Sequence, residues 1–243
     1  MIGFIIGLLK IVFLLGFLVF IHEGGHFIIA KLCKVQVNEF SIGFGPKLFE
    51  KQGKKTKYQL RLIPLGGFVN LEGEEEPSEK EGSFSKASIL KKIVIVIAGG
   101  TVNIIFGLLV YFLLACQITD IKNALLSTGD FIFSIVENLK ILFTGGVKTD
   151  DLMGIVGISE IAIKTTTIQN YLYILALVSL SLGVTNLLPF PPLDGGKIVL
   201  YIIEAIRKKP LNQKIENVIQ MTGFYILIGL SIFVMYNDVV RIL

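Results

Sequence analysis

Residues 11–30, IVFLLGFLVFIHEGGHFIIA, decide the fold, because they place a metal-binding pattern inside a stretch apolar enough to cross a membrane. The pattern is His22-Glu23-Gly24-Gly25-His26, which has the spacing HExxH. Ionisable side chains at membrane depth are costly and usually carry function. The stretch therefore predicts a transmembrane helix that carries a functional site.

The composition of the whole chain supports a membrane protein. Of its 243 residues, 53% are hydrophobic and only 17% are charged, whereas soluble domains carry about 25% charged residues. The net charge of +4 is modest and indicates no nucleic-acid partner. We expect one membrane-embedded domain over residues 1–243.

Four apolar runs are candidates for membrane spans. They cover about residues 2–33, 93–118, 171–188 and 222–240. Between the first two, residues 35–71 alternate in a β-like pattern broken by glycine and proline, which predicts one or two hairpins beside the membrane. The charged run EGEEEPSEKEG follows and is typical of an exposed loop. The sequence thus predicts a predominantly α membrane protein with a small β-sheet.

The distribution of basic residues predicts the orientation of the spans. Eleven lysines and arginines lie between the first and second runs and five between the third and fourth, against four in the middle segment. Because cytoplasmic loops carry the excess of positive charge, the two dense loops belong in the cytoplasm and both termini outside. The middle segment, about residues 119–170, is then extracytoplasmic, and its weakly amphipathic part from Leu125 to Phe143 predicts packing in a core or interface.

The HExxH pattern suits zinc-dependent hydrolysis. On a helix, His22 and His26 lie one turn apart on one face, where both imidazoles can bind a single zinc ion. Glu23 lies on the adjacent flank, where it can take a proton from the metal-bound water. Short patterns of this kind also occur by chance, but two histidines and a glutamate inside a span require a compensating reason.

Catalytic zinc usually has three protein ligands, and both histidines of the chain are already used. We therefore expect a carboxylate from another segment. Asp194 is the strongest candidate, because it follows the proline-rich NLLPFPPL and precedes Gly195-Gly196. The alternative is that Asp194 is only the N-cap of the next helix. Asp238 and Glu204 are weaker candidates.

Two motifs together resemble those of a known family. HEGGH in the first span combined with NLLPFPPLDGG in a later one resembles the site-2 proteases, intramembrane zinc metalloproteases of peptidase family M50, and is most similar to the bacterial RseP type. GGFVNLEGE, AGGTVNIIFG, LFTGGVKTDDLMGIVGISEIA, IEAIRKKPLN and NDVVRIL extend the likeness nearly end to end. The family more often has Gly-Pro where this chain has Gly99-Gly100.

The resemblance implies specific roles for residues. His22, His26 and Asp194 would be the zinc ligands and Glu23 the general base. Asn103 and Asn186 occupy positions where the family has polar residues near the site. They either hold the substrate backbone or an oxyanion, or only join helices. The hairpin region would pair with an unwound substrate as an added strand.

One departure from the RseP type concerns domain content. That type carries one or two PDZ domains between the second and third spans, but only about 50 residues separate Cys116 from Tyr171 here. We expect the PDZ domain to be absent and access to be controlled by the hairpin and the spans.

The sequence therefore predicts an intramembrane zinc endopeptidase of a bacterial cytoplasmic membrane. Its partners would be the lipid bilayer and single-span membrane proteins, such as anti-sigma factors or remnant signal peptides, cut near the cytoplasmic face. Two other functions remain open: a catalytically silent scaffold of the same fold and, with less support, a metal or ion transporter.

Overall fold

A computed structural model of the chain describes residues 2–144 and 154–242. Within them lie two strands and seven helices, in the order α1 (Ile2–Leu32), β1 (Val37–Gln52), β2 (Lys57–Leu71), α2 (Ile89–Cys116), α3 (Ile121–Thr144), α4 (Ile155–Lys164), α5 (Ile168–Asn186), α6 (Asp194–Arg207) and α7 (Gln213–Ile242). Part of the family-like stretch LFTGGVKTDDLMGIVGISEIA lies outside the described residues.

Four of these helices are long and apolar enough to cross a bilayer. They are Ile5–Leu32, Ile89–Cys116, Ile168–Asn186 and Gln213–Arg241, so the predicted fold class, four spans with a small sheet, is confirmed. The last helix begins nine residues before the predicted span. Its first turns are rich in polar residues, and a reading based on apolar runs detects only the part inside the membrane.

Contacts between residues divide the chain into two compact units. One comprises Met1–Ile11, Ile105–Leu180 and Tyr225–Leu243, and the other comprises Val12–Ile104 and Ser181–Phe224. The expectation of a single domain stays a prediction. All the candidate site residues from the HExxH motif, α2 and the LDGG segment belong to the second unit, here called the motif unit.

The strands form one sheet in the motif unit. Val37–Ile42 pairs with Gly67–Leu71 in antiparallel order, and the same half of β1 also pairs with Lys57–Leu60. The C-terminal half of β1 pairs with the start of β2 and forms a hairpin with it. The paired residues run from Lys47 opposite Arg61 to Gln52 opposite Lys57. Because each strand pairs in two stretches, Gly67–Leu71 has, among the described residues, a pairing partner on one side only and forms an edge of the sheet.

A buried apolar cluster fixes the elements around the motif. It comprises Ala30, Val35, Val37, Leu71, Phe84, Ile95, Val96 and Tyr201. These side chains come from the end of α1, the sheet, the loop after it, α2 and α6. The elements that carry the candidate ligands are therefore packed around one core rather than held by loops.

The other unit contains α3 and α4. Tyr111 stacks on Phe131 of the amphipathic helix α3, with the ring centroids 4.1 Å apart. The N-terminus of α4 is bonded to a fully buried carboxylate: Asp238 Oδ2 accepts hydrogen bonds from the backbone N–H groups of Gly154 at 3.0 Å and Gly157 at 2.8 Å.

Candidate metal centre

Two imidazoles of α1 converge at their outer nitrogens. His22 Nε2 and His26 Nε2 lie 3.2 Å apart, because the residues are one helical turn apart. His26 Nδ1 lies 2.9 Å from the carbonyl oxygen of Ile95. A carbonyl only accepts hydrogen bonds, so Nδ1 carries the proton and the Nε2 of the neutral ring presents a lone pair.

The carboxylate of Asp194 completes this group. Its Oδ2 lies 3.2 Å from His22 Nε2 and 3.3 Å from His26 Nε2. The structure thus brings together residues that are far apart in the sequence.

The three atoms fit a metal ion better than a set of hydrogen bonds. Asp194 Oδ2 is buried and receives no hydrogen bond, since a neutral imidazole has no proton to offer from a lone-pair nitrogen. Four ligands bound at about 2.0–2.1 Å around tetrahedral zinc lie about 3.3 Å from one another. The three observed separations agree with that spacing, and this is the one such group of ligating side chains found among the described residues.

The backbone before Asp194 explains how the carboxylate reaches the histidines. The N-cap of α6 is Leu193, with Asp194 as the first helical residue and no side-chain cap, so the N-cap alternative for Asp194 does not hold. Gly195 packs against the preceding segment: a Cβ there would lie 2.3 Å from the carbonyl oxygens of Leu187 and Leu188. A larger residue would displace the start of α6.

Glycines also bring α2 against the motif. A Cβ on Gly99 would lie 2.3 Å from His26 Nε2 and 2.8 Å from His22 Cε1. A Cβ on Gly25 would lie 2.8 Å from the carbonyl oxygen of Ala98. In contrast, Gly24 has no neighbour within 4 Å of such an atom. Only the glycines that face the other helix are required for this close approach.

The three side chains open into a cavity of about 190 Å³. Glu23 also lines it, together with the edge of the sheet at Gly67, Phe68 and Val69. A Cβ on Gly67 would lie 2.9 Å from Glu23 Cγ. The absence of a side chain at Gly67 therefore lets the edge strand run directly beside Glu23.

A family comparison now bears on this geometry. The model of peptidase family M50 matches residues 10–230, nearly the whole chain. The chain belongs to peptidase family M50. This confirms the resemblance noted from the two motifs. The M50 family is zinc-dependent, so this member is a zinc metalloprotease by family and its cofactor is zinc.

Similar bacterial proteins extend over nearly all of the chain. A protein of Campylobacter jejuni is 28% identical over 97% of this chain and 94% of its own length. One of Clostridium perfringens is 28% identical, with 92% and 95% covered, and one of Helicobacter pylori is 26% identical, with 96% and 99% covered. All three are named as inferred zinc metalloproteases.

The alignment with the Campylobacter jejuni protein is longer than this chain. It runs over 346 positions, whereas the M50 chain described here has 243 residues. About 100 positions of that relative therefore have no counterpart in this chain. The difference has the size of a small domain.

Asn103 contacts a histidine of the centre rather than the cavity. The side chain is completely buried, and its Nδ2 lies 3.5 Å from His22 Nδ1. With the amide turned so that its oxygen faces the ring, Asn103 would accept the Nδ1 proton and leave the lone pair on Nε2. The predicted role in substrate binding stays a prediction.

The remaining candidates lie apart from the centre. Asn186 is the half-buried last residue of α5 and does not line the cavity of about 190 Å³. Asp238 bonds the start of α4 and pairs with Arg241 at 3.0 Å. Glu204 accepts a 2.7 Å hydrogen bond from the backbone N–H of Leu211.

Sequence reasoning missed an ion pair at the cavity. Lys197 Nζ lies 2.8 Å from Glu74 Oε1, and both side chains line the cavity. The negative charge of Glu74 raises the pKa of Lys197 above its usual range. Glu74 belongs to the EGEEEPSEKEG run predicted to be exposed. This holds for Glu75 and Glu76 but not for Glu74, which is half-buried. The position of Lys197, one helical turn after Asp194, is the sequence signal that could have indicated a charged side chain at the cavity.

Proposed function

We propose that this M50 protein is an intramembrane zinc endopeptidase that cleaves transmembrane segments of single-span membrane proteins. His22, His26 and Asp194 would be its zinc ligands, and Glu23 its general base. The observation that carries the proposal is that two imidazole nitrogens on a helix able to cross a membrane and a carboxylate oxygen at the start of α6 lie within 3.3 Å of one another.

The zinc ion and Glu23 would have different roles in hydrolysis. When bound, zinc supplies Lewis-acid chemistry that polarises a carbonyl group and activates water. Glu23 accepts a proton from the attacking water and delivers it to the nitrogen of the leaving amine as the C–N bond breaks. The products are a carboxylate and an amine, and Glu23 returns to its starting state.

The edge strand offers a way to hold the substrate. Gly67–Leu71 pairs with β1 on one side only, and its residues 67–69 line the cavity with Glu23. An extended peptide can add to such an edge through backbone hydrogen bonds. Because a helix already uses its backbone groups internally, the substrate segment must unwind before it can pair and be cut.

The substrate class follows from the predicted orientation and the family resemblance. By the positive-inside rule, the basic loops predict that the HExxH end of α1 faces the cytoplasm, so cleavage would release a cytoplasmic fragment. Anti-sigma factors and remnant signal peptides are substrates of this kind. The membrane would be a bacterial cytoplasmic membrane, with both termini of the chain outside.

The short middle segment supports access without a PDZ domain. About 100 positions of the Campylobacter relative lack a counterpart here, which agrees in size with the loss of one such domain. Selection would then depend on the edge strand and the spans. A substrate that keeps a large external domain would be cut by this protein as efficiently as a trimmed one.

Two other functions are weaker. A silent scaffold would have no need of Glu23 beside the cavity. A transporter would need a path of polar groups across the membrane, whereas the described cluster of two histidines and one aspartate is a single point.

Co-expression with single-span candidate substrates tests the proposal. We expect Glu23→Gln to retain zinc and to lose cleavage by about 10²–10⁴-fold, the usual contribution of a general base. Fragment masses and zinc content are measured in parallel. Glu50→Gln, an exposed glutamate paired with Lys47 on the hairpin, is the matched control and should cut normally. Full cleavage by Glu23→Gln would exclude the mechanism.

A further inference from the structure

A second cavity in the motif unit is lined by lysines. Its volume is about 600 Å³, and it lies where α1 ends, β1 begins and α2 begins. Its charged lining residues are five lysines and one glutamate: Lys31, Lys34, Lys55, Lys86, Lys91 and Glu81. We propose that this cavity binds the phosphate headgroup of an anionic membrane lipid.

The positive charge of this lysine cavity is largely unbalanced. Lys86 pairs with Glu79 at 2.7 Å, but the structure gives no ion pair for the other four lysines within the described residues. Lys91 Nζ donates only to the carbonyl oxygen of Cys33 at 3.3 Å, and Lys31 lies over the ring of Phe27. An anion entering the cavity therefore meets ammonium groups that do not have to leave another partner.

The local backbone gathers these lysines. Helix α1 ends at Leu32, and Lys34 then adopts a left-handed φ of 63° that turns the chain toward β1. The first turn of α2 brings Lys91 to the same cavity, and a helix N-terminus itself favours an anion. The end of α1, the start of α2 and the segments that connect the elements nearby thus bring lysines to one space.

The level of the lysine cavity in the membrane favours a lipid over a soluble anion as the ligand. Leu32 and Leu90 adjoin the lining residues Lys31 and Lys91 in the chain, and each is 71% exposed. In a multi-pass membrane protein such leucines contact acyl chains, so the adjacent lysines lie at the level of the headgroups. Basic pockets at that level bind lipid phosphates. The acyl chains of the bound lipid would run along the two leucines.

The general excess of lysine on this side of the membrane does not explain the cavity. That excess orients the spans wherever in the loop the charges lie. Lys47, Lys51 and Lys54 belong to the same loop but lie on the hairpin, outside the lining of the cavity. They form a natural control, because removing them changes the net charge equally.

The experiment compares two triple variants of the full chain. One removes charge from the cavity through Lys34→Gln, Lys55→Gln and Lys91→Gln. The other removes charge from the hairpin through Lys47→Gln, Lys51→Gln and Lys54→Gln. Each protein is purified in detergent and mixed with phosphatidylglycerol, phosphatidylcholine or soluble glycerol 3-phosphate, and the retained ligand is counted by native mass spectrometry.

We expect wild type and the hairpin triple variant to retain phosphatidylglycerol and the cavity triple variant to retain at least tenfold less. Phosphatidylcholine should be retained equally by all three. Equal retention of phosphatidylglycerol by both triple variants would overturn the proposal, as would retention of glycerol 3-phosphate as strong as that of the lipid. If the cavity triple variant does not fold, Lys34→Gln alone should weaken lipid binding about fivefold, as expected for one lysine near the surface, and an unchanged affinity would overturn the proposal.

Discussion

Asp194 and Asp238 are both shielded carboxylates in a largely apolar chain, but their partners differ completely. Asp238 receives two backbone N–H groups at the start of α4 and the guanidinium of Arg241. Asp194 faces two imidazole nitrogens, and its buried Oδ2 receives no hydrogen bond. Asp238 therefore has hydrogen-bond donors from the protein, whereas Asp194 Oδ2 faces the lone pairs of two nitrogens.

This difference distinguishes a structural carboxylate, Asp238, from the proposed metal ligand, Asp194. A buried carboxylate without donors is strongly unfavourable unless a cation is supplied. Among the described residues, no lysine or arginine forms an ion pair with Asp194, so zinc is the group that would compensate. Burial alone does not identify a ligand, because Asp238 is the more deeply buried of the two.

The largest expected effect comes from exchanging each carboxylate for an amide. Asp194→Asn should lose stoichiometric zinc and reduce cleavage by about 10³-fold or more, because three ligands are needed to hold a catalytic zinc ion. Asp238→Asn should keep both. Zinc content of the purified proteins and fragment yield in co-expression measure the contrast. Stoichiometric zinc together with normal cleavage in Asp194→Asn would remove Asp194 from the site.

A second, smaller effect concerns the glycines around the histidines. Gly99→Ala would place a methyl group 2.3 Å from His26 Nε2, so α2 or the imidazole must shift. We expect zinc affinity to fall by about 10–100-fold, as for changes that misorient a ligand. Gly24→Ala, inside HExxH but with open space around it, is the matched control. Competition with a zinc chelator measures both, and equal affinities would contradict the close packing.

The smallest effect should be purely structural. Asp238→Asn removes part of the hydrogen bonding at the start of α4, which should cost about 1–3 kcal/mol of unfolding free energy. Asp130→Asn, at an exposed position of α3, should change it by less than about 0.5 kcal/mol. Thermal unfolding in detergent measures both. If Asp238→Asn were as stable as wild type but lacked zinc, Asp238 would act on the metal site and not as a structural carboxylate.

Sequence patterns predicted the parts of this molecule that follow from hydropathy and helical spacing. The four spans follow from apolar length, and the convergence of His22 and His26 follows from one turn of a helix. The prolines before Asp194 and the glycines after it made Asp194 the strongest candidate for the third ligand, and the family resemblance implied the same role, but the residues alone left open whether it binds metal or caps a helix. That choice depends on which atoms of other segments face the carboxylate.

Tertiary contacts account for what the sequence did not reveal. Glu74 lies in a highly charged run, and composition predicts such a run to be exposed. Its pairing with Lys197 depends on how the loop after β2 meets α6. The pairing of β1 with two stretches of β2 could not be predicted from the sequence either, because alternation shows which side chains share a face but not which strands are neighbours.

The separation of the proposed ligands along the chain has a consequence for biosynthesis. His22 leaves the ribosome early, but Asp194 follows roughly 170 residues later, and a zinc site does not form before its ligands are assembled. If Asp194 is a zinc ligand, a chain translated only as far as the HExxH motif would not cleave neighbouring proteins during insertion into the bilayer. With these residues as ligands, proteolytic competence would begin only after the segment that carries Asp194 has been made and the metal has bound.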